Sequence, residues 1–384
     1  MSIETATLRD LANRHGTPLL VLDCDEVRAR YRALTAALPT VAMHYAIKAL
    51  PNDAVVRTLW DEGAGFDVAS AGEIGALRRA GIDPRRCIHT HPIKKPADIK
   101  AALRFGCTTF VVDNPAEIEK FVPFRYRVGL LLRVSFRSPD AVVDLSRKFG
   151  CSVDEAPRLL ARARQLGVSV KGLSFHVGSQ SGDAATHVAA VRACATLMAE
   201  QRALGAPLSL LDIGGGFPVD YATGSALDID AWCRPVRDAL ATLPDNVSVI
   251  AEPGRYLVAS AVTGVFSVVG KALRDDGPWY YLDDGVYGSF SGQLFDHAHY
   301  PLRALDNDGP TSTATVAGPT CDSIDVIAEN LPLPTLAVGD LVTGAMMGAY
   351  TAASATDFNS LTRATVVAVN APAHVRSGDV TQIA

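Results

Sequence analysis

Between residues 41 and 255 two apolar patterns alternate along the chain. One is a short run of β-branched and aliphatic residues, as in VAMHYAIKA (41–49), GAGFDVAS (63–70), CIHTH (87–91) and TTFVVD (108–113). VGLLLRVSF (128–136), VKGLSFHVGS (170–179), LSLLDIGGGFP (208–218) and SVIAEPGR (248–255) bring such runs to eight. Between them lie segments with apolar residues at helical spacing, such as AGEIGALRRAG, NPAEIEKF, DEAPRLLARARQLG and HVAAVRACATLMAEQRALG. The runs predict buried strands, the spaced segments predict amphipathic helices, and a closing glycine predicts a helix C-cap. Eight strand–helix repeats over roughly 200–250 residues have the count and size of a (β/α)8 barrel, ahead of a doubly wound sheet.

After Arg255 the pattern changes. VTGVFSVVGKAL, PWYYLDDGVYGSF, STATVAGPTCDSIDVI, GDLVTGAM and RATVVAVNAP are β-branched or aromatic runs separated by Gly, Pro, Asn and Asp. Such runs predict an all-β domain. The first 25 residues read as a helix and then a strand, GTPLLVLD, and join that domain. The expected fold class is α/β: a TIM-type (β/α)8 barrel over residues 26–258, plus a C-terminal all-β domain that includes the N-terminal segment. That second domain is read as a β-sandwich or β-barrel-like unit from residues 1–25 and 259–384.

Charge and cysteine content narrow the function classes. The 384 residues carry 36 basic and 41 acidic side chains, net −5, which excludes a generally basic nucleic-acid binder. The seven cysteines stand far apart with no CxxC pair, so neither a zinc site nor a disulfide framework is expected, and a reducing compartment is. The N-terminus is polar and amphipathic rather than a signal peptide. The uncharged stretch Tyr256 to Gly270 is shorter than the ~20 residues of a spanning helix. A soluble cytoplasmic protein without membrane or nucleic-acid partners is the expectation.

Barrel chemistry sits at the C-terminal ends of the strands. Polar residues stand at nearly every such end: Lys48, Asp67, His91, Arg133, His176 with Ser179, Gly214 to Gly216, and Glu252 with Arg255. Lys48 lies among apolar residues, which predicts a lowered pKa and a neutral, nucleophilic amine. A lysine that simply surfaces there is the plain alternative. DIGGGFP offers three backbones without side chains, and EPGR adds a glycine and a cation, both suited to a phosphate. Glycine-rich turns also serve tight connections, so neither motif is decisive alone. Glu252 could pair with a protonated ring nitrogen, and His176 could stack on the ring. His89 and His91 form an HxH pair of the kind metal barrels use, but no later His/Asp set completes it, and no metal is expected.

A lysine nucleophile, a phosphate cradle and a carboxylate for a ring nitrogen together describe a pyridoxal 5′-phosphate site. The motifs HYAIKA, GFDVAS, FHVGS, DIGGGFP, EPGR, DDGVYGSF, GPTCDSID and MGAY follow one another along nearly the whole chain. In that order they resemble the fold-type III, pyridoxal-phosphate-dependent basic amino acid decarboxylases, the ornithine, diaminopimelate and arginine group. The resemblance implies that Lys48 carries the cofactor, with Asp67, Glu73 and Arg133 around it and His176 against its ring. Ser179, Gly215, Gly216, Gly254, Arg255 and Tyr350 would hold the phosphate, and Glu252 the pyridine nitrogen. Cys321 would return a proton to the α-carbon, a task open to thiols near neutral pH. The other six cysteines are read as inert buried thiols. The resemblance also implies a homodimer in which Cys321 and Asp322 serve the neighbouring subunit's site.

Substrate choice turns on two acids. The resemblance places Asp296, in LFDHAH, and Asp322, in GPTCDSID, near a distal ammonium, with Tyr287, Phe295 and Phe358 lining the substrate site. GPTCD and Phe358 point to ornithine, whereas the diaminopimelate branch tends to carry ESCD and a tyrosine. Phe295 departs from a tyrosine common in the ornithine branch. The chain stops soon after the last β-run, so regulation through the long tail of animal relatives is not expected. Lysine, meso-diaminopimelate or a related diamino acid are the competing substrates. An alanine-type racemase and an inactive decarboxylase-like regulator are the competing classes, and the presence of Lys48, Gly216, Arg255 and Cys321 speaks against the regulator.

Overall fold

The computed structural model describes residues 3–137, 141–143, 146–221, 227–373 and 380–381. Eight parallel strands close into a barrel: Val41–Ala46, Gly65–Val68, Cys87–His89, Thr109–Val112, Gly129–Val134, Val170–Phe175, Leu210–Asp212 and Ser248–Ala251. Pairing of the eighth strand with the first, Val249 opposite Val41, completes the circle and excludes the open sheet. The strands read as continuous apolar runs because helices cover one face and side chains fill the other. Ile88, Val111, Leu131 and Ile250, from the third, fourth, fifth and eighth strands, form a separate cluster that plugs the interior.

Local signals start and stop the helices between strands. Asn52, Ser70 and Asn114 are N-caps whose side chains accept from the amides of Ala54, Glu73 and Glu117. Gly106, at φ 109°, closes the helix Pro96–Phe105 in the left-handed conformation that glycine tolerates. These caps hold the loops that emerge at the strands' C-terminal ends.

The second domain is built on a nine-stranded sheet. The N-terminal strand Leu19–Asp23 lies inside it, antiparallel to Val262–Arg274 and parallel to Thr365–Val369. Its five residues are all buried, and Asp23 directly caps the helix Cys24–Ala37 that leads into the barrel. The main hydrophobic core runs without a break from barrel residues such as Phe66 and Phe175 to sheet residues such as Phe266 and Val342. The two domains are therefore packed on shared apolar surface.

Two expected β-runs are shorter than the pattern suggested. PWYYLDDGVYGSF is a strand only over Gly277–Leu282. Asp284 then accepts from the amides of Gly285 and Ser289 at 2.8 and 3.0 Å and folds the chain into turns. In STATVAGPTCDSIDVI the strand Thr311–Ala317 ends before the cysteine. Buried Asp325 accepts from the Val286 amide at 2.8 Å and from the Thr320 amide and hydroxyl at 3.0 and 2.6 Å. Those bonds hold GPTCDSID as a loop. Among the described residues no helix is long and apolar enough to cross a membrane.

Candidate active site

A cavity of about 210 Å³ opens at the C-terminal ends of the barrel strands. Lys48, Arg133, His176, Ser179, Gly215, Gly216, Glu252, Gly254, Arg255 and Tyr350 all line it, so residues spread over three hundred positions meet at one mouth.

Lys48 stands in a single turn after the first strand, and its side chain remains 42% exposed to the cavity. Its Nζ donates to Asp67 Oδ2 at 3.1 Å, and Asp67 Oδ1 accepts from the Thr90 hydroxyl. The expected neutral amine is corrected here. Burial does pull the ammonium's pKa down, but Asp67, with Tyr350 and Glu252, outweighs it and holds Lys48 above its ordinary value. Sequence patterning saw the apolar flanks and not how closely Asp67, on the next strand, approaches the amine. Glu73 lies close by but is engaged in capping: its carboxylate accepts from the Ala69 amide while Ser70 Oγ accepts from the Glu73 amide.

His176 is neutral. Burial and the positive charges of Arg133 and Lys48 drive its pKa well below the usual imidazole value. Its Nδ1 accepts from the Gly178 amide at 3.1 Å, which leaves the proton on Nε2. Arg133 lies over the Phe149 ring at 5.4 Å. Burial raises the Glu252 carboxyl well above its ordinary range, and Asp212 and Asp67 push the same way. Asp212, raised likewise by burial, is hydrogen-bonded to Glu252, to the Ser174 hydroxyl at 3.0 Å and to the Gly214 amide at 3.0 Å. Glu252 lines the cavity, and Asp212 is its buried neighbour. Asp212 went unnoticed in the sequence, although it stands at a strand end one residue before the Ile213–Gly214 turn.

Arg255 opens a short helix after the eighth strand and is only 6% exposed. Its guanidinium donates to Ser179 Oγ at 3.1 and 3.3 Å, to Tyr221 Oη at 2.8 Å and to Asp296 Oδ2 at 2.8 Å. It lies 4.8 Å from the Tyr350 ring centre. Gly214 and Gly216 have φ of 66° and 97°. A Cβ on Gly214, Gly215 or Gly216 would come within 2.3, 2.7 or 2.6 Å of a backbone oxygen. The cradle therefore admits glycine alone. Tyr221, which no sequence pattern marked, anchors Arg255 from the loop after the glycines.

The remaining expected residues gather elsewhere. Cys321 is exposed, unlike the other six cysteines, and its Sγ lies 3.6 Å from the Asn359 side-chain amide. Asp322 Oδ2 accepts from the Tyr287 hydroxyl, and the Tyr287 ring stacks on Phe358 at 4.3 Å. None of these four lines the Lys48 cavity. Phe295, 60% exposed, follows the same outward course, while its neighbour Asp296 turns inward to Arg255. His89 packs on Phe110 and His91 meets Phe149 edge-on, so the HxH pair splits. Among the described residues no three His, Cys, Asp or Glu side chains are grouped to hold a metal.

Residues 24–259 match the family profile described as pyridoxal-dependent decarboxylase, pyridoxal binding domain. The chain belongs to the pyridoxal-dependent decarboxylase family. A lysine/ornithine decarboxylase from Vibrio vulnificus, solved with cadaverine, superposes with a TM-score of 0.91 at 50% identity, covering 95% of this chain and 96% of that one. The lysine/ornithine decarboxylase of Selenomonas ruminantium is 40% identical over 352 residues, 92% of this chain and 89% of its own length. Antizyme inhibitor 2 of Xenopus laevis is 36% identical over 363 residues, 90% of this chain and 79% of its own.

The protein is thus a carboxy-lyase whose cofactor is pyridoxal 5′-phosphate. The site's residues fit that group: a cradle that a Cβ would block, a buried guanidinium beside it, and the Glu252 carboxyl on the same cavity. Gly215, Gly216, Ser179 and Arg255 would hold the phosphate, Lys48 the aldehyde carbon, and Glu252 the ring nitrogen. When bound, the cofactor supplies the electron sink for loss of CO2.

Proposed function

We propose that this decarboxylase acts on linear diamino acids, converting L-ornithine to putrescine and CO2 and accepting L-lysine as the close second. It does so as a homodimer in which Cys321 and Asp322 of each protomer complete the other's Lys48 cavity. The observation that carries this reading is the outward placement of the Cys321–Asp322–Tyr287–Phe358 cluster, away from its own cavity. Asp322 offers a carboxylate already oriented by the Tyr287 hydroxyl, a charge-assisted partner for a distal ammonium. Asp296, held through Oδ2 to the cavity-lining Arg255, supplies a second carboxylate. Cys321 Sγ gives its proton to the α-carbon after CO2 leaves. The relatives named lysine/ornithine decarboxylase support both substrates. One methylene is worth only ~1–3 kcal/mol in a pocket, so discrimination between the two amino acids is modest. Seven free thiols, with no disulfide among the described residues, suit a reducing cytoplasm.

The test is CO2 release by the purified, cofactor-loaded protein from L-ornithine, L-lysine, meso-diaminopimelate and L-arginine. Ornithine and lysine should lie within about 100-fold of each other in kcat/KM and well above the other two. A preference for meso-diaminopimelate would overturn the substrate assignment.

A further inference from the structure

The three glycines of the cradle are fastened from behind through their carbonyls. Gly214 O accepts from the Glu252 amide at 2.7 Å, and Gly216 O accepts from the Ser181 amide at 3.0 Å. The middle carbonyl, Gly215 O, is met by a side chain instead: His187 Nε2, at 3.1 Å. The amides of Gly215 and Gly216 donate to no group among the described residues and remain available on the cavity side. His187 belongs to the helix Ala185–Ala203 and is fully buried. Three aromatic rings hold it in place: Trp232 edge-on at 5.1 Å, Phe217 at 6.0 Å and Phe175 at 6.1 Å. Its Nδ1 has no hydrogen-bond partner among the described residues.

We propose that His187 is a positioning residue for cofactor phosphate binding: its Nε2–H clamps the Gly215 carbonyl and thereby aims the Gly216 amide, which shares that peptide plane, at the anion. The proposal rests on the assignment of this loop to the phosphate. A carbonyl and the amide that follows it belong to one rigid peptide plane, so fixing Gly215 O fixes the direction of the Gly216 N–H. Glycines have no side chain to oppose rotation of that plane, and Gly215 is the one of the three whose carbonyl no backbone amide restrains. The chemistry of the clamp also sets the tautomer. A carbonyl accepts only, so the proton must sit on Nε2. Burial, which lowers the His187 pKa to about 4, keeps the ring in that neutral form across the physiological range. The box of three aromatic rings leaves the imidazole one orientation, in which the Nε2–H meets the loop.

Three variants, His187→Phe, His187→Asn and His187→Gln, test the clamp by titration of the apoenzyme with pyridoxal 5′-phosphate and, in parallel, with pyridoxal. Phe keeps an aromatic ring in the box and removes the donor. Asn carries an amide too short to reach Gly215 O. Gln places its amide nitrogen about where Nε2 lies. His187→Phe and His187→Asn should each weaken pyridoxal 5′-phosphate binding about tenfold, the typical weight of one buried hydrogen bond. His187→Gln should recover most of that loss. Pyridoxal, which lacks the phosphate, should bind all four proteins alike, whereas a merely structural defect would weaken both ligands. If the Asn variant folds, even should the Phe variant not, it must show the phosphate-specific loss. Equal affinity of folded His187→Asn and the parent protein for pyridoxal 5′-phosphate would overturn the proposal. Gly216→Ala separates the two claims. If it weakens phosphate binding and the His187 variants do not, the clamp is wrong. If it too leaves binding unchanged, the assignment of the loop to the phosphate has failed.

Discussion

Around Lys48, each functional side chain is anchored by groups of its own chain: Lys48 on Asp67, Arg255 on Ser179, Tyr221 and, from the second domain, Asp296, and Glu252 on Asp212. Around Cys321 the local order is equally definite, with Tyr287 on Asp322 and on Phe358, yet the group faces outward on loops. The first region is a cavity that one chain closes. The second is a prepared surface with an exposed thiol, and Phe358 and Ile324 are 39% and 52% exposed beside it. Exposed apolar side chains of that size beside a thiol and a carboxylate are what the proposed homodimer would cover. The difference teaches that side chains fastened inside a cavity and side chains fastened on a surface form two separate groups, so that each can be damaged alone.

The largest effect should come from separating the two. Lys48→Ala should abolish CO2 release, and Cys321→Ala should reduce it severely. Mixed in equal amounts under conditions of proven subunit exchange, the two should recover up to about a quarter of the parent activity. Half of the random dimers are mixed, and each mixed dimer has one intact site of two. No recovery would place Lys48 and Cys321 in the same protomer's site.

The two acids sharpen it. Asp322→Asn should lower kcat/KM for ornithine by roughly ten- to hundred-fold, since a charge-assisted partner typically contributes ~1.5–3 kcal/mol. The loss should be small for an analogue without the distal amine, and pyridoxal-phosphate affinity should stay at the parent value. Asp296→Asn should weaken the cofactor as well, because it also removes the partner of Arg255. Identical phenotypes for the two would show that both acids belong to one region.

Acid sensitivity should sit in the barrel. His89 and His187 are fully buried and their pKa values are lowered by burial to about 4, against 6.5 for an ordinary imidazole. Between those values the unfolded chain binds protons that the native one refuses, so stability falls as pH is lowered from 6.5 towards 4. Each such histidine adds about 1.4 kcal/mol per pH unit to that slope. His89→Leu should therefore flatten the curve by about one proton in urea denaturation measured across this range. A slope unchanged by the substitution would mean that His89 titrates normally.

The smallest effect is expected at the hydroxyl that orients Asp322. Tyr287→Phe keeps the stack on Phe358 and removes one hydrogen bond, worth about 1 kcal/mol. It should raise KM for ornithine several-fold and leave the cofactor's absorption spectrum alone. A shifted spectrum would bring Tyr287 into the Lys48 region.

Much of the fold was written in the one-dimensional pattern. All eight barrel strands fall on the apolar runs, because a strand buried on both faces must be continuously apolar whatever its neighbours are. The N-terminal strand was legible for the same reason. The turns at Asp283–Phe290 and around Cys321 were not, since side-chain carboxylates of Asp284 and Asp325 override the β-propensity of Val286, Tyr287 and Ile324 there. At the site, the strand-end rule located Lys48, Arg133, His176, Glu252 and Arg255 together at the cavity. It could not reveal Tyr221 or Asn359, which stand on loops with no periodic pattern.

What the sequence determined by itself was therefore the set of elements, the order in which they close, and the residue types offered at the barrel mouth. Those follow from short-range periodicity and from chemistry that does not depend on neighbours. What only the tertiary structure decided was the state of those residues. Lys48 is held charged rather than neutral because Asp67 lies 3.1 Å away, Asp296 is tied to Arg255, and Cys321 is turned away from its own cavity. Electrostatic state and orientation are set by the nearest few ångströms of space, and in a barrel those are filled from distant parts of the chain.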